Sequence, residues 1–269
     1  MFIAKLYAFL KRDLINAASY KFAFFSSFLG IFTSSATMFF VSKLISGGSG
    51  SLLESYGGDY FAFVIIGIAF SGFFGILQGG LPGIIRNAQV TGTLEALLVT
   101  QTSVPTLLVG SSLYSFFYTM LTTLFHLGLA ILVFGMKLGH INWLGGILTF
   151  LLTSLCFLSI GILSSSFIMV YKMGNPFTWV FGSVSGLLGG VFFPIAVLPD
   201  WIRWVSYILP ITHSLEGMRR SLLSSSSFSE ILPNIMALGI FASILFPLSL
   251  VVFRLALRKA KRDGTLIHY

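Results

Sequence analysis

Six apolar runs divide this chain, and each is long enough to cross a hydrocarbon layer of about 30 Å at roughly 1.5 Å of helix rise per residue. They are read as Phe22–Ile45, Tyr60–Leu81, Thr106–Met136, Trp143–Val170, Pro176–Phe193 and Pro233–Leu255. The third and fourth exceed the requirement, so tilt or projection beyond the bilayer is expected, and the fifth is the shortest. Composition leads the same way. Of 269 residues, 56% are hydrophobic and 9% charged, with a mean hydropathy of +0.95. Too little polar surface remains to coat a soluble globule of that size. The expected fold is an all-α polytopic membrane protein with six transmembrane helices.

Charge sets the orientation, because Lys and Arg in short loops are retained on the cytoplasmic side. With the N-terminus inside, the inner segments hold eleven basic residues (Lys5, Lys11, Arg12, Lys21, Arg86, Lys172, Arg254, Arg258, Lys259, Lys261 and Arg262), and the outer ones hold five, Lys43, Lys137, Arg203, Arg219 and Arg220. Both termini are therefore expected in the cytoplasm, and the protein in the cytoplasmic membrane. The net charge of +8 gathers at the ends of apolar runs and not in a patch interleaved with aromatics, which argues against nucleic acid as a partner. Phe2–Tyr20 places Phe2, Leu6, Phe9, Leu10 and Leu14 near one helical stripe, with Lys5, Lys11, Arg12 and Asp13 elsewhere. That pattern reads as an amphipathic helix in the cytoplasmic interface, or as an extension of the first membrane helix. Phe22–Ile45 is longer than the apolar core of a secretory signal and lacks a convincing cleavage motif, so no signal peptide is expected.

No internal duplication or low-complexity linker is evident, and no extramembrane stretch is long enough for a second domain. The chain reads as one membrane domain, residues 1–269: an interfacial helix over 1–21, a six-span core over 22–255 and a cytoplasmic tail over 256–269. Gly47–Gly50 with Glu54 and Asp59 reads as a flexible outer loop, and Ser224–Ser227 as a second flexible patch.

Several chemistries lack their raw material. No G-x-x-x-x-G-K-[ST] phosphate cradle occurs, so the chain is not expected to hydrolyse ATP or to be an enzyme. The four histidines, His126, His140, His213 and His268, have no metal-binding spacing, and the single Cys156 completes neither a metal site nor a disulfide. No carboxylate pair falls inside a predicted span, so an ion-driven proton relay has no basis, and energy for pumping must come from a partner. His126 lies deep in the third span. It is either a pathway group or a neutral imidazole bonded to a neighbouring helix.

Two connections stand out. The first, from Pro82 to Gly110, reads PGIIRNAQVTGTLEALLVTQTSVPTLLVG. Arg86, Asn87, Gln89 and Glu95 make it the most polar inner connection, and Thr93–Leu98 can form a short helix capped by Thr91 or Thr93. Such a helix either docks into a partner or rests on lipid headgroups. The second, from Pro194 to Arg220, reads PIAVLPDWIRWVSYILPITHSLEGMRR. Pro194, Pro199 and Pro210 each remove a backbone donor, so the chain is expected to bend back before crossing. Asp200 is the expected N-cap of a short helix, on which Trp201, Trp204 and Tyr207 recur at helical spacing suited to a headgroup boundary. The segment is either a gate-like element or an inert interfacial plug.

Taken in order, an interfacial N-terminal helix, six spans, the GTLEALLVTQTSVPTLLVG loop and the GGVFFPIAVLPDWIRWVSYILPITHSLEGMRR segment resemble the permease subunit of type-2 ABC exporters, over essentially the whole chain. That family includes drug, lipid and lipid-linked polysaccharide exporters. The resemblance implies re-entrant short helices at the outer leaflet between the fifth and sixth spans, around Pro194, Pro199, Asp200, Trp201, Trp204 and Pro210. It also implies a working unit of two permease copies and two copies of a separate ATPase subunit. ATP and Mg would sit on that partner, with no cofactor in this chain. The family's coupling helix maps onto Gly92, Thr93, Leu94 and Glu95. Gly182, Gly186, Gly189 and Gly190 of the fifth span would permit close helix approach. The expected function is ATP-driven export of an amphipathic or hydrophobic compound. A lipid-linked polysaccharide exporter and a non-transporting scaffold or sensor subunit are the competing readings.

Overall fold

A computed structural model describes residues 2–19, 21–45, 53, 56–92, 104–171, 176–224 and 226–262. Nine helices run through the described residues: α1 (Phe2–Ser19), α2 (Lys21–Ile45), α3 (Tyr60–Val90), α4 (Val104–Leu132), α5 (Trp143–Tyr171), α6 (Pro176–Leu188), α7 (Asp200–Ile208), α8 (Pro210–Leu222) and α9 (Phe228–Arg262). Five of them, α2, α3, α4, α5 and α9, are long and apolar enough to cross a membrane. The expected count of six long spans is thus met by five. The fifth predicted span ends early because Gly190 adopts φ 77°, a left-handed conformation that stops the helix at Leu188. At 13 residues α6 measures only about 20 Å.

The helix with apolar residues on every face takes the centre. From Phe61 to Leu77, α3 buries two or three residues in nearly every turn, and its Phe70, Phe73 and Phe74 meet Phe150 and Phe157 of α5. The Phe74 and Phe157 rings stack at 5.0 Å, and Phe73 lies 4.7 Å from Phe150. A helix of this composition is expected to be surrounded. The packing of α4 and α5 against it, and of α9 against α5, completes the core, while α2 lies outermost. Within α5, hydroxyl side chains are accommodated in apolar surroundings by donating to the preceding turn. Thr153 donates to the Thr149 carbonyl, Ser159 to Leu155 and Ser165 to Gly161, at 2.7–2.8 Å.

Pro82 does not begin a loop, as its position in the sequence suggested. The helix continues eight residues further, to Val90. Proline withdraws the donor that the Gln78 carbonyl would use. Gly161 of α5 lies against that carbonyl, and a Cβ there would stand 2.9 Å from both the Leu77 and Gln78 oxygens. The helices therefore touch backbone to backbone at the irregular turn. Arg86, Asn87 and Gln89 accordingly ride on α3, and Gln89 Nε2 donates to the Met169 carbonyl at 3.4 Å.

Two ends can be distinguished. At one, the last turns of α9 bury Phe253, Leu257 and Ala260 against Leu81 and Ile85 of α3 and Met169 of α5. Arg254, Arg258 and Lys259 stay exposed there. The last helix therefore passes the predicted boundary at Leu255, and the first part of the expected tail is helical. Near this basic end α1 packs on α4, with the Phe9 ring so close that a Cβ on Gly110 would lie 2.7 Å from it. Leu6, Phe9 and Leu10 occupy the packed stripe as expected, and the half-exposed Leu14 joins Leu10 in lining a groove against Tyr114 and Phe117 of α4. The opposite end holds α7, α8 and the starts of α3, α5 and α9.

Candidate functional site

The polypeptide at that opposite end folds back on itself as its prolines require. Pro194 precedes a 3-10 turn over Ile195–Val197, Pro199 caps α7, and Pro210 is the first residue of α8, where its missing N–H has no partner to lose. Asp200, expected as the N-cap, is instead the first residue of α7. Its carboxylate is exposed and pairs with Arg203 at 3.0 Å. Arg203 also donates to the Ala196 and Leu198 carbonyls at 3.0 and 2.9 Å, so its charge is turned back onto the 3-10 turn. What α7 presents outward is Trp201, Trp204, Tyr207 and Ile208, all more than half exposed. An aromatic face of this kind suits a lipid headgroup boundary.

The hairpin is held by a buried cation. Arg219 of α8 is 3% exposed. Its Nε donates to the Phe63 carbonyl at 3.1 Å, Nη1 to Gly190 at 2.8 Å and Nη2 to Val191 at 3.0 Å. The guanidinium carbon stands 3.4 Å from the centre of the Phe63 ring. Burial pulls its pKa down to about 9, which leaves it protonated near neutral pH. One side chain thus ties α3, α8 and the chain that leaves α6, and supplies donors to the buried Gly190 and Val191 carbonyls, which lie past the end of α6. Room for it comes from Gly67, where a Cβ would lie 2.2 Å from the Val191 oxygen and 2.6 Å from Arg219 Nη2.

Around this clasp a second network reaches the surface. Tyr56 donates to Glu216 at 2.6 Å, and Glu216 accepts from Arg220 at 2.6 Å. Burial, then the Glu216 charge and hydrogen bond, raise the Tyr56 phenol well above its usual value. His213 links the Tyr207 carbonyl, at 2.9 Å, to Asn234 of α9 at 3.4 Å. The far end of α8 joins α5: Gly139 and Asn142 donate backbone N–H groups to the Leu222 and Ser221 carbonyls, both at 2.9 Å. The three arginines assigned together to an outer loop therefore do different things, and Arg219 was not recognisable as a core residue from charge alone. Its register could have shown it, since Ile211, Leu215 and Arg219 recur at four-residue intervals on one buried stripe.

At the basic end, Gly92 terminates α3 with φ 69° and donates to the Gln89 carbonyl at 3.2 Å. It is the left-handed glycine that follows a helix C-terminus. Thr93, Leu94 and Glu95 lie outside the described residues. Of the four glycines expected to permit close approach, Gly189 and Gly190 are packed, whereas a Cβ at Gly182 or Gly186 meets nothing within 4 Å.

Comparison with known proteins resolves what this arrangement belongs to. Residues 48–251 match the family model described as ABC-2 family transporter protein. The chain belongs to the ABC-2 transporter family. Nodulation protein J of Sinorhizobium fredii is 26% identical over 239 residues, covering 87% of this chain and 88% of that protein. Nodulation protein J of Bradyrhizobium diazoefficiens is 26% identical over 202 residues, covering 74% and 75% respectively. As an ABC-2 permease, the chain is a multi-pass membrane component of a transporter, and the family implies association with an ABC ATPase. The aromatic hairpin, its Arg219 clasp and the Gly92 cap all fall inside the family match.

Proposed function

We infer that this ABC-2 permease is the transmembrane subunit of an ATP-driven exporter that moves an amphipathic or hydrophobic compound across the cytoplasmic membrane. The family match over residues 48–251 carries the reading. Hydrolysis belongs to a separate ATPase subunit, which holds ATP and Mg, because the chain has no phosphate-binding loop of its own. Both termini face the cytoplasm, on the side of the exposed Arg86, Arg254, Arg258 and Lys259. In that orientation α6 makes the fifth crossing with help from the chain after it, and the α7–α8 hairpin re-enters the outer leaflet. Two permease copies and two ATPases form the working unit, and the open side of α6 at Gly182 and Gly186 leaves room for a second copy. Gly92, Thr93, Leu94 and Glu95 form the contact with the ATPase, at the end of a 31-residue helix that is rigid enough to carry displacement toward the core.

Purified alone, the chain should hydrolyse no ATP. Co-purified with its ATPase in proteoliposomes, it should support vanadate-sensitive flux. Replacing Thr93 and Leu94 with Gly and Glu95 with Ala should lower flux per ATP hydrolysed by roughly tenfold, equivalent to about 1.4 kcal/mol of lost coupling, while the complex still assembles. Transport driven by an ion gradient without nucleotide would end this reading.

A further inference from the structure

A groove of about 670 Å³ opens between α1, the first residue of α2 and α4, within the size range of small-molecule sites. Two helical stripes form its walls. Leu10, Leu14 and Ala17 recur on α1 at i, i+4 and i+7, and Tyr114, Phe117 and Leu121 recur on α4 at i, i+3 and i+7. The two helices touch where the Phe9 ring meets Gly110, and the groove lies beyond that contact along both. Leu14, Phe117 and Leu121 remain about half exposed, so the pairing leaves apolar surface that neither helix covers. The groove adjoins α2 and α4, both long and apolar enough to cross a membrane, where the cover at hand is lipid.

One charge interrupts this apolar lining. Lys21 follows Ala17 at the next four-residue interval, and among the described lining residues it alone is charged. It is exposed and has no ion-pair or hydrogen-bond partner among the described residues. Tyr114 and Tyr118 stack at 5.9 Å along the α4 wall, the amphipathic kind of ring that suits a headgroup boundary. The single carboxylate on α1, Asp13, acts on Tyr114, but its charge is matched by Arg12 at 2.8 Å. The groove also lies at the basic end of the bundle, where Arg254, Arg258 and Lys259 are exposed.

We propose that this groove holds one anionic glycerophospholipid as a resident lipid that is not transported, with its phosphate on Lys21 and an acyl chain along Leu14, Ala17, Phe117 and Leu121. The two apolar stripes decide for a hydrocarbon tail, which removes their half-exposed surface from water. A cation without a counter-charge, on a lining that holds no carboxylate, decides for a net negative headgroup over a zwitterionic one. Such a lipid enters sideways from the bilayer, because the groove lies on the flank of the bundle and outside its core. The proposal goes beyond the export reading and does not depend on it.

The test is native mass spectrometry of the delipidated full chain, titrated with phosphatidylglycerol and, separately, with phosphatidylcholine of the same acyl chains. The anionic lipid should bind about fivefold more tightly, the share of one lysine near a lipid surface. Lys21→Gln should abolish that preference and leave the phosphatidylcholine affinity unchanged. Lys259→Gln, the same loss of charge at the same end but outside the groove, should leave the preference intact. Ala17→Phe, which puts a ring into the groove, should weaken both lipids by about tenfold. Phosphatidylglycerol should also raise the melting temperature of the wild type but not that of Ala17→Phe. Equal affinity for the two lipids, or equal losses from Lys21→Gln and Lys259→Gln, would overturn the proposal, since the attraction would then belong to the whole basic end. So would unchanged binding to Ala17→Phe, because the lipid would then sit elsewhere. In the chain co-purified with its ATPase, bound phosphatidylglycerol should survive ATP turnover; its release on addition of ATP would make it cargo and refute a resident role. Selective, retained binding without vanadate-sensitive flux would leave the groove standing and remove the export reading.

Discussion

Removing the guanidinium of Arg219 is the sharpest way to test how the aromatic hairpin is held. Burial lowers its pKa to about 9 against the opposing pull of the Tyr56 and Glu216 charges, so the net cost of keeping the charge there is roughly 5 kcal/mol. Arg219→Ala recovers that cost. It also strands the carbonyls of Gly190 and Val191, at about 1–3 kcal/mol each, whereas the Phe63 carbonyl, inside α3, keeps its helical partner. Loss of the long side chain from its place over the Phe63 ring leaves a cavity worth about 2–5 kcal/mol. The losses exceed the recovery by about 2.5 kcal/mol at mid-range, close to the low end of the range of about 3–5 kcal/mol for breaking a buried charged pairing. At about 2–4 °C per kcal/mol for a chain of this size, melting should fall by about 5–10 °C.

Two further substitutions separate geometry from charge. Arg219→Gln keeps a neutral pair of N–H donors and should lose only about half as much. Lys brings a point charge whose three donors diverge from one nitrogen and cannot span three carbonyls on two elements. Arg219→Lys should therefore be no better than Arg219→Ala. Arg220→Ala, which breaks the partly exposed pair with Glu216 and a long bond to the Glu230 carbonyl at 3.4 Å, should cost about 1 kcal/mol. Thermal shift of the detergent-solubilised chain, read by size-exclusion chromatography, ranks the four. Full rescue by Lys, or an Arg219→Ala protein melting within 2 °C or so of the wild type, would show that the clasp does not hold the hairpin.

A pair of glycine substitutions reports on the α3–α5 contact. Gly161→Ala drives a methyl group against two backbone oxygens and should cost about 1–3 kcal/mol, whereas Gly72→Ala meets open space and should gain about 0.5–1 kcal/mol from reduced backbone freedom in the unfolded chain; equal melting temperatures would refute the close approach. Tyr56→Phe removes the hydrogen bond to Glu216 and should cost about 1–2 kcal/mol. The folded phenol sits above its ordinary value of 10.0, so its contribution is full below about pH 10 and is lost as pH rises toward the folded value. The melting gap between wild type and Tyr56→Phe should therefore be level from pH 7 to about 9 and narrow above about 10; a gap that widens with pH would contradict the assignment.

Apolar run length made the long helices legible, because lipid demands about twenty apolar residues whatever their neighbours are. Where the reading missed, the deciding group lay elsewhere in the chain or was a local signal set aside. Pro82 looked like the start of a loop, yet α3 runs on to Val90 because Gly161, far away in sequence, lets α5 close over the freed carbonyl. Pro233 looked like the start of the last span, but α9 begins at Phe228. Here the sequence did carry the signal: Ser227 and Glu230 have capping-box spacing, and their side chains meet at 3.1 Å. Ser224–Ser227, read as a flexible patch, thus includes a helix cap, and the Ser226 carbonyl accepts from Asn142 at 3.2 Å.

The aromatic hairpin shows the same division most clearly. Its prolines and tryptophans are local features, and they fall at element boundaries and on an exposed face as their chemistry requires. What fixes the hairpin to the bundle is not local. Arg219 reaches a carbonyl 156 residues earlier in the chain, across a glycine whose Cβ would strike both the guanidinium and the Val191 oxygen. Positive charge was read as a marker of sidedness, a reading that has no place for a guanidinium that closes a ring of carbonyls, whereas Arg86 and Arg258 are exposed. In a chain with so few charges, a basic residue in register with apolar neighbours at i−4 and i−8 belongs first to the core. The α8 helix could then move relative to α3 only by breaking that ring, so any gating at this end should take place in α7, at the face of Trp201 and Trp204, outside the Arg219 clasp.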